Sequence, residues 1–291
     1  MRRALPGLLL IAAITLSASP AAAGPWAPDQ NHGYVKLWLK YLYGFDFHAG
    51  DGNTYGYGAY HEAFVSAYAE VGLVDDLALV LHAELLRTFH LEDPRDGSYQ
   101  SHVTPGDPLL GLRWQFLQEG RFVMAVEGGL RAPFARAAEV QTVYGTDEGN
   151  PPVGRLRIGA GAWDVPVSIG AGWAEDRWYV AGSAGYVVRS EGYDHQLTWT
   201  AEAGATLAAV IGVRGRVVGV HSLDVWFGEE APGHESPSGI GNGTSYVGFA
   251  VEGDWQLEPG WYLGLTVEGG LFFLSRQTGG PVVSLYLAHA F

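Results

Sequence analysis

From Val35 onward, apolar and polar positions alternate with period two over most of the chain, the pattern of strands with one apolar and one polar face. Val35, Leu37, Leu39 and Tyr41 alternate with Lys36, Trp38 and Lys40. Val65, Ala67, Ala69, Val71 and Leu73 oppose Ser66, Tyr68 and Glu70, and Leu77 to Leu85 opposes His82 and Glu84. The same alternation recurs over 110–116, 122–131, 163–173, 178–189, 197–207, 213–227, 247–255, 261–268 and 283–291. Twelve strands are predicted.

Period two alone does not separate a membrane barrel from a soluble sandwich, because both bury one face. Loop length separates them. Long Gly- and Pro-rich stretches near 47–59, 92–106, 135–158 and 228–243 alternate with tight turns at Asp75-Asp76, Glu119-Gly120, Glu175-Asp176 and Glu258-Pro259-Gly260. An up-and-down barrel with periplasmic turns and longer extracellular loops has this alternation. Aromatic residues flank three of the tight turns, as Phe116/Phe122, Trp173/Trp178 and Trp255/Trp261, all on the apolar face by parity. Amphipathic rings belong at the lipid headgroup level. The chain also ends on Phe291, with Leu287, Leu285 and Val283 at alternate positions before it and His289 where an apolar or aromatic residue is usual. A terminal Phe in this register resembles the signal that barrel-assembly machinery reads. The expected fold is therefore all-β, a closed antiparallel up-and-down transmembrane β-barrel of about twelve strands.

The first 23 residues have another character. Arg2 and Arg3 precede the apolar run Leu8–Leu16, and Ala21-Ala22-Ala23 offers a small-x-small cleavage site before Gly24. This is the pattern of a secretory signal peptide, which leaves residues 24–291 as the barrel domain and the cell outer membrane as the destination. No cysteine is present, so packing and hydrogen bonds replace disulfides in an oxidising compartment. Acidic residues outnumber basic ones, 31 to 17, which argues against nucleic acid as a partner, since phosphate binding needs Lys and Arg. No apolar run after residue 23 is long enough for a spanning helix. Outer-membrane lipid and lipopolysaccharide are the expected surroundings, and Phe291 is the expected handle for assembly.

Candidate chemistry lies on the inward face. Arg113, Glu127, Arg131, Asp164, Glu202, Arg214, Glu252 and Glu268 are the lumen-lining candidates, beside Lys36, Lys40, Glu62, Glu70, Glu84, Arg189, Arg216 and Asp254. Such charges either form a conduit that selects solutes or pair to brace a water-filled interior, and the near balance of sign favours bracing. His48, His90, His102, His195 and His234 are scattered at the outer rim without tetrahedral spacing, so neither a metal nor a cofactor is expected. No G-x-S-x-G elbow and no H-E-x-x-H helix occurs. His221-Ser222 and Ser183 are the only hints of nucleophilic chemistry, and no catalytic residue is assigned.

Short motifs in order along the chain carry a family likeness. Ala69-Glu70-Val71-Gly72-Leu73-Val74-Asp75-Asp76-Leu77-Ala78-Leu79 resembles an E-x-G-L-T-D-x-L-x-L hairpin. Gly106-Asp107-Pro108-Leu109-Leu110-Gly111-Leu112-Arg113 is similar to a G-D-x-x-L-G-x-R strand, and Phe122 through Pro133 to the strand after it. Gly159-Ala160-Gly161-Ala162-Trp163-Asp164 and Gly185-Tyr186-Val187-Val188-Arg189 resemble G-x-G-x-W-D and G-Y-x-x-R. These belong to a family of outer-membrane β-barrel transporters linked to the phenol meta-cleavage pathway, and its relatives. The resemblance implies passage of small molecules, apolar or aromatic ones among them, and no catalytic residues. No long plug like that of fatty-acid transporters is evident, the chain entering its first strand soon after Trp26. The expected function is an outer-membrane channel or transporter. The alternatives are a structural or adhesive barrel acting through its extracellular loops, and a barrel hydrolase.

Overall fold

The computed structural model describes residues 24–223, 236 and 238–291. The signal segment and the far end of the stretch 213–227 lie outside the described residues. In chain order the strands are β1 Gly33–His48, β2 Thr54–Val74, β3 Leu77–Asp93, β4 Ser98–Thr104, β5 Leu109–Glu119, β6 Phe122–Arg131, β7 Glu139–Tyr144 and β8 Pro152–Arg157. They continue as β9 Asp164–Ala174, β10 Trp178–Arg189, β11 Gln196–Ala208, β12 Ile211–Ser222, β13 Ser245–Glu258, β14 Trp261–Ser275, β15 Gln277–Thr278 and β16 Val282–Ala290.

Of the fourteen strands in the main sheet, β4 and the two-residue β15 stand outside the ring, and the other twelve form a closed antiparallel barrel. Going round from β2, the order is β2-β3-β5-β6-β9-β10-β11-β12-β13-β14-β16-β1. The seam joins β1 to β16 from Tyr34↔Ala290 to Leu42↔Val282, and β1 pairs with β2 on its other edge. Closure leaves no free edge in hydrocarbon, where unpaired backbone groups are costly. The register also turns the alternate apolar positions outward. Leu37, Leu39, Leu112, Val167, Ile169, Val251, Leu265 and Leu285 are all solvent-exposed large apolar side chains, which for a soluble protein would be an aggregation hazard and for a barrel is the lipid face.

The tight turns sit at one end with the aromatic residues beside them. Phe116, Trp173, Trp178, Trp255 and Trp261 are exposed, and Phe122 pairs directly with Trp173. Trp173 Nε1 donates to Glu175 Oε1 at 3.0 Å, the polar contact expected of an indole at the headgroup level. His289 joins this girdle. Its ring lies 4.3 Å from Trp261 and 5.9 Å from Phe291, near parallel to both, with Nδ1 3.1 Å from the Gly260 carbonyl. Gly260 itself has φ 81° and a Cβ there would meet the Ala290 carbonyl at 2.5 Å, so the last tight turn admits only glycine without strain.

At the opposite end the structure corrects the sequence reading. Three of the four stretches expected as long loops contain strand, and of the fourth, 228–243, only residues 236 and 238–243 are described. β1 and β2 extend until only residues 49–53 separate them, 92–106 contains β4 hydrogen-bonded to β3, and 135–158 contains the separate β7–β8 hairpin. On β4 the apolar residues Tyr99 and Val103 are exposed, whereas those of the other two stretches pack on each other above the bilayer. Phe47, Tyr57, Tyr60, Phe89, Leu91, Val143, Leu156 and Ile158 form a buried core there, with Ile240 packed against it.

The lipid-face assignment predicts that Leu285→Arg, at the middle of the seam, costs about 2–4 kcal/mol of stability. Urea unfolding of the barrel in lipid vesicles, followed by tryptophan fluorescence, checks it. An unchanged midpoint would place Leu285 away from lipid.

Candidate functional site

Alternation brings the polar side chains of twelve strands into one interior, and there they pair. A recurring unit is a carboxylate that accepts from a tyrosine hydroxyl and from an arginine. Glu70 Oε2 accepts from Tyr68 at 2.6 Å and from Arg113 at 2.8 Å. Glu252 accepts from Tyr286 at 2.8 Å and pairs with Arg214 at 3.1 Å and Lys36 at 2.7 Å. Glu202 pairs with Arg216 at 2.5 Å and accepts from Tyr179. Glu62 accepts from Tyr60 at 2.7 Å and from Arg87. Tyr60/Glu62 and Tyr68/Glu70 are each two residues apart on β2, so the pleat alone sets them side by side. The basic partners come from other strands, some adjacent in the ring and some, as Arg113 for Glu70 and Lys36 for Glu252, from beyond the neighbouring strand. Glu202↔Arg216, Arg214↔Glu252 and Arg113↔Glu127 are directly opposed pairs in the ladder. Charge-assisted bonds of this kind are about twice as strong as neutral ones.

The candidate lumen residues fall into two groups. Arg113, Glu127, Glu202, Arg214, Glu252 and Glu268 line one central cavity of about 460 Å³. Arg131 and Asp164 sit apart, joined to each other at 3.2 Å and, through Asp164, to Arg189 at 3.1 Å. The cavity has two unlike walls. On β1, β12, β13 and β14 it is charged, with Lys36, Arg216, Glu252 and a Lys40–Glu268 pair at 2.9 Å. On β9 and β10 it is built from small side chains, Ser168, Gly170, Ala181 and Ser183, and on the flanking β6 and β11 Ala125 and Thr200 stand beside the charged Glu127 and Glu202. Trp38 projects between Lys36 and Lys40, each ammonium 5.4 Å from its ring, and stacks on His82 at 5.8 Å.

The sequence reading missed the floor of this cavity. Gly24 and Pro25 are part of its lining, because the segment before β1 folds back inside the barrel instead of leaving it. Arg113 Nη1 donates to the Trp26 carbonyl at 3.1 Å, the Ala27 amide donates to Gln115 Oε1 at 2.9 Å, and Trp26 meets Tyr179 edge-on at 5.6 Å. Glycines make room for it, since a Cβ on Gly172 would lie 2.7 Å from the Trp26 ring. The one hint in the sequence was a tryptophan in a polar, Pro-rich stretch with no strand period.

The residues considered for nucleophilic chemistry have other partners. Ser183 Oγ lies 2.8 Å from Thr200 Oγ1 on the cavity wall. Ser222 Oγ donates to the Thr244 carbonyl at 3.2 Å, while His221 Nε2 accepts from Trp199 Nε1 at 3.1 Å. Of the rim histidines, His90 Nδ1 pairs with Ser101 Oγ at 2.7 Å and His48 Nδ1 with Thr54 Oγ1 at 3.0 Å, and His234 lies outside the described residues. Among the described residues no group of three His, Asp or Glu side chains is placed to hold a metal.

Fold and interior together define an outer-membrane β-barrel with a braced polar lumen. Among solved structures the chain is similar to an outer membrane channel from Pseudomonas putida F1, at 12% identity over 92% of this chain and 98% of that one, with a TM-score of 0.64. It is also similar to the NanC porin, at 7% identity over 88% of this chain and 98% of that one, with a TM-score of 0.52. At these identities the likeness is one of fold. No protein-family model matches the sequence, and no curated protein is similar to it at a significant level.

The pairing predicts a large cost for stranding one partner. Arg113 and Glu70 have side chains 8% and 0% exposed, so Arg113→Met is expected to destabilise the barrel by about 3–5 kcal/mol. Adding Glu70→Met is expected to recover more than half of that loss. Chemical unfolding of the two variants in detergent checks it; equal losses would show that the ion pair is not the brace.

Proposed function

We propose that the chain is a passive outer-membrane channel for small molecules, working after removal of residues 1–23. The observation that carries this reading is the central cavity of about 460 Å³, which is walled by side chains from most of the ring and floored by a chain segment rather than filled by bulky side chains. An eight-stranded ring is just filled by its own side chains, and a ring of twelve encloses more space than that, which gives a small solute room to pass. Solved structures similar in fold include a channel and a porin, which supports the same reading.

The two walls favour amphipathic solutes, aromatic ones among them. A flat apolar body slides along the small-residue wall of β9 and β10 while one polar group exchanges hydrogen bonds with the charged wall. Charged groups already paired at 2.7–2.9 Å, such as Lys36–Glu252 and Lys40–Glu268, offer such a solute polar contacts without a single strong trap, as conduction requires. The rival reading, a barrel that acts through its outer surface, draws support from the packed core above the bilayer, which gives the external loops a fixed shape.

Deleting Gly24–Ala27 is expected to raise single-channel conductance in planar bilayers about twofold or more, by removing the floor. Liposome swelling with phenolic and sugar solutes then reads the preference between the walls. If neither the full chain nor the trimmed variant passes ions or swells liposomes, the channel reading fails and the surface reading takes its place.

A further inference from the structure

The connection between β12 and β13 ends in a run with glycine at alternate positions, Ser238-Gly239-Ile240-Gly241-Asn242-Gly243-Thr244. Three arginines from three walls donate to its backbone carbonyls. Arg87 Nη2 on β3 reaches the Ser238 carbonyl at 3.3 Å, Arg189 Nη1 at the end of β10 reaches that of Gly241 at 3.4 Å, and Arg276 Nη1, just beyond β14, reaches that of Asn242 at 2.9 Å. Counting round the ring from β2, these strands hold the second, sixth and tenth places of twelve. A five-residue segment that touches three equally spaced walls has to cross the mouth of the barrel.

We propose that Ser238–Thr244 is the outer gate of the lumen, a strap that closes by seating Ile240 in the apolar core above the bilayer and opens by withdrawing it. The inference rests on the channel reading. The two ends of the strap are built differently. At the Asn242 end, the Asn242 side chain is buried and its Oδ1 accepts the Asp194 amide at 2.6 Å, while Ser222 ties down Thr244 and Ser245 at 3.2 and 3.0 Å. At the Ser238 end Ser236 is buried, its Oγ accepting from the Arg157 amide at 2.9 Å, while the arginine bonds to the carbonyls of Ser238 and Gly241 are long for hydrogen bonds.

Releasing that end strands no charge. Arg87 keeps Glu62 and Glu84, and Arg189 keeps Asp164 at 3.1 Å. Among the described residues that end is then held by Ile240 on the apolar core and by two serines on Arg157 of β8, Ser238 Oγ donating to its carbonyl at 2.7 Å and Ser236 Oγ accepting from its amide at 2.9 Å. The hinge has the residues it needs. Gly239 and Gly243 have φ of 67° and 73°, and a Cβ on Gly243 would meet Arg276 at 2.4 Å, so the chain bends where only glycine bends freely.

Two measurements test the gate on the full chain reconstituted in planar bilayers. Ile240→Ser removes the latch without touching the barrel wall and is expected to raise the open probability about fivefold, the effect of losing most of one half-buried aliphatic side chain. Heat-modified gel migration confirms that the variant is folded. Because the chain has no cysteine, Arg189→Cys with Gly241→Cys can be bridged by a short bifunctional thiol reagent. Asp164 keeps Arg131 in that variant. Bridging is expected to lower conductance at least about fivefold, with recovery on reduction. If the Gly24–Ala27 deletion conducts but neither the Ile240 change nor the bridge alters conductance, the gate is wrong and the channel stands. If no variant conducts, both are overturned.

Discussion

Every backbone N–H and C=O that enters hydrocarbon has to find a partner within the protein, and here that demand is met only when β1 reaches β16. The register of that one pairing, with Leu37 opposite Leu287 and Leu39 opposite Leu285, decides which face of every strand meets lipid. Once it is set, the other face of each strand has nowhere to go but inward. Polar residues that would be unremarkable on the surface of a soluble sheet are thereby concentrated in a space with little water, where a lone charge is expensive. The carboxylate units are the answer to that second demand. Glu70, Glu202 and Glu252 each meet a tyrosine hydroxyl and an arginine, so closure of the wall and neutralisation of the interior are one problem solved by one arrangement.

This arrangement also explains why the interior is braced and yet not full. Tyrosine and arginine side chains spend their length running along the wall to reach a carboxylate on their own strand or one or two strands away, and β9 and β10 contribute mostly Ala, Ser and Gly. Main chain enters this interior as well, with Gly24 and Pro25 among the lining residues and the connection before β13 accepting from three arginines. Its acceptors are neutral carbonyls, and its glycines turn at small cost.

The wall was legible in the sequence because period two survives wherever one face meets lipid and the other meets charge. Strand number, tight turns and the aromatic girdle all followed from parity. The ends were not legible for the same reason. In 135–158 Val143, Leu156 and Ile158 face a small local core rather than a bilayer, and in 92–106 Tyr99 and Val103 sit on the short β4, so neither stretch carries a long alternation, and the Gly and Pro in them read as loop. The partners of the candidate charges were hidden, since Lys36 and Glu252 are 216 positions apart and only the closed ring brings them together. Arg131 and Asp164 were grouped with the cavity by parity alone, which gives the face of a strand and not the height along it.

The segment carrying Pro25 and Trp26 also bears on how such a protein is built. It begins at the seam, beside the last strand, and reaches Arg113 on β5 and Tyr179 on β10. Those residues belong to walls that the two edge strands enclose when they meet, so zipping the seam and seating the segment are parts of one event. The seat of this segment is a property of the closed ring, made of residues on β5 and β10 that no single hairpin supplies.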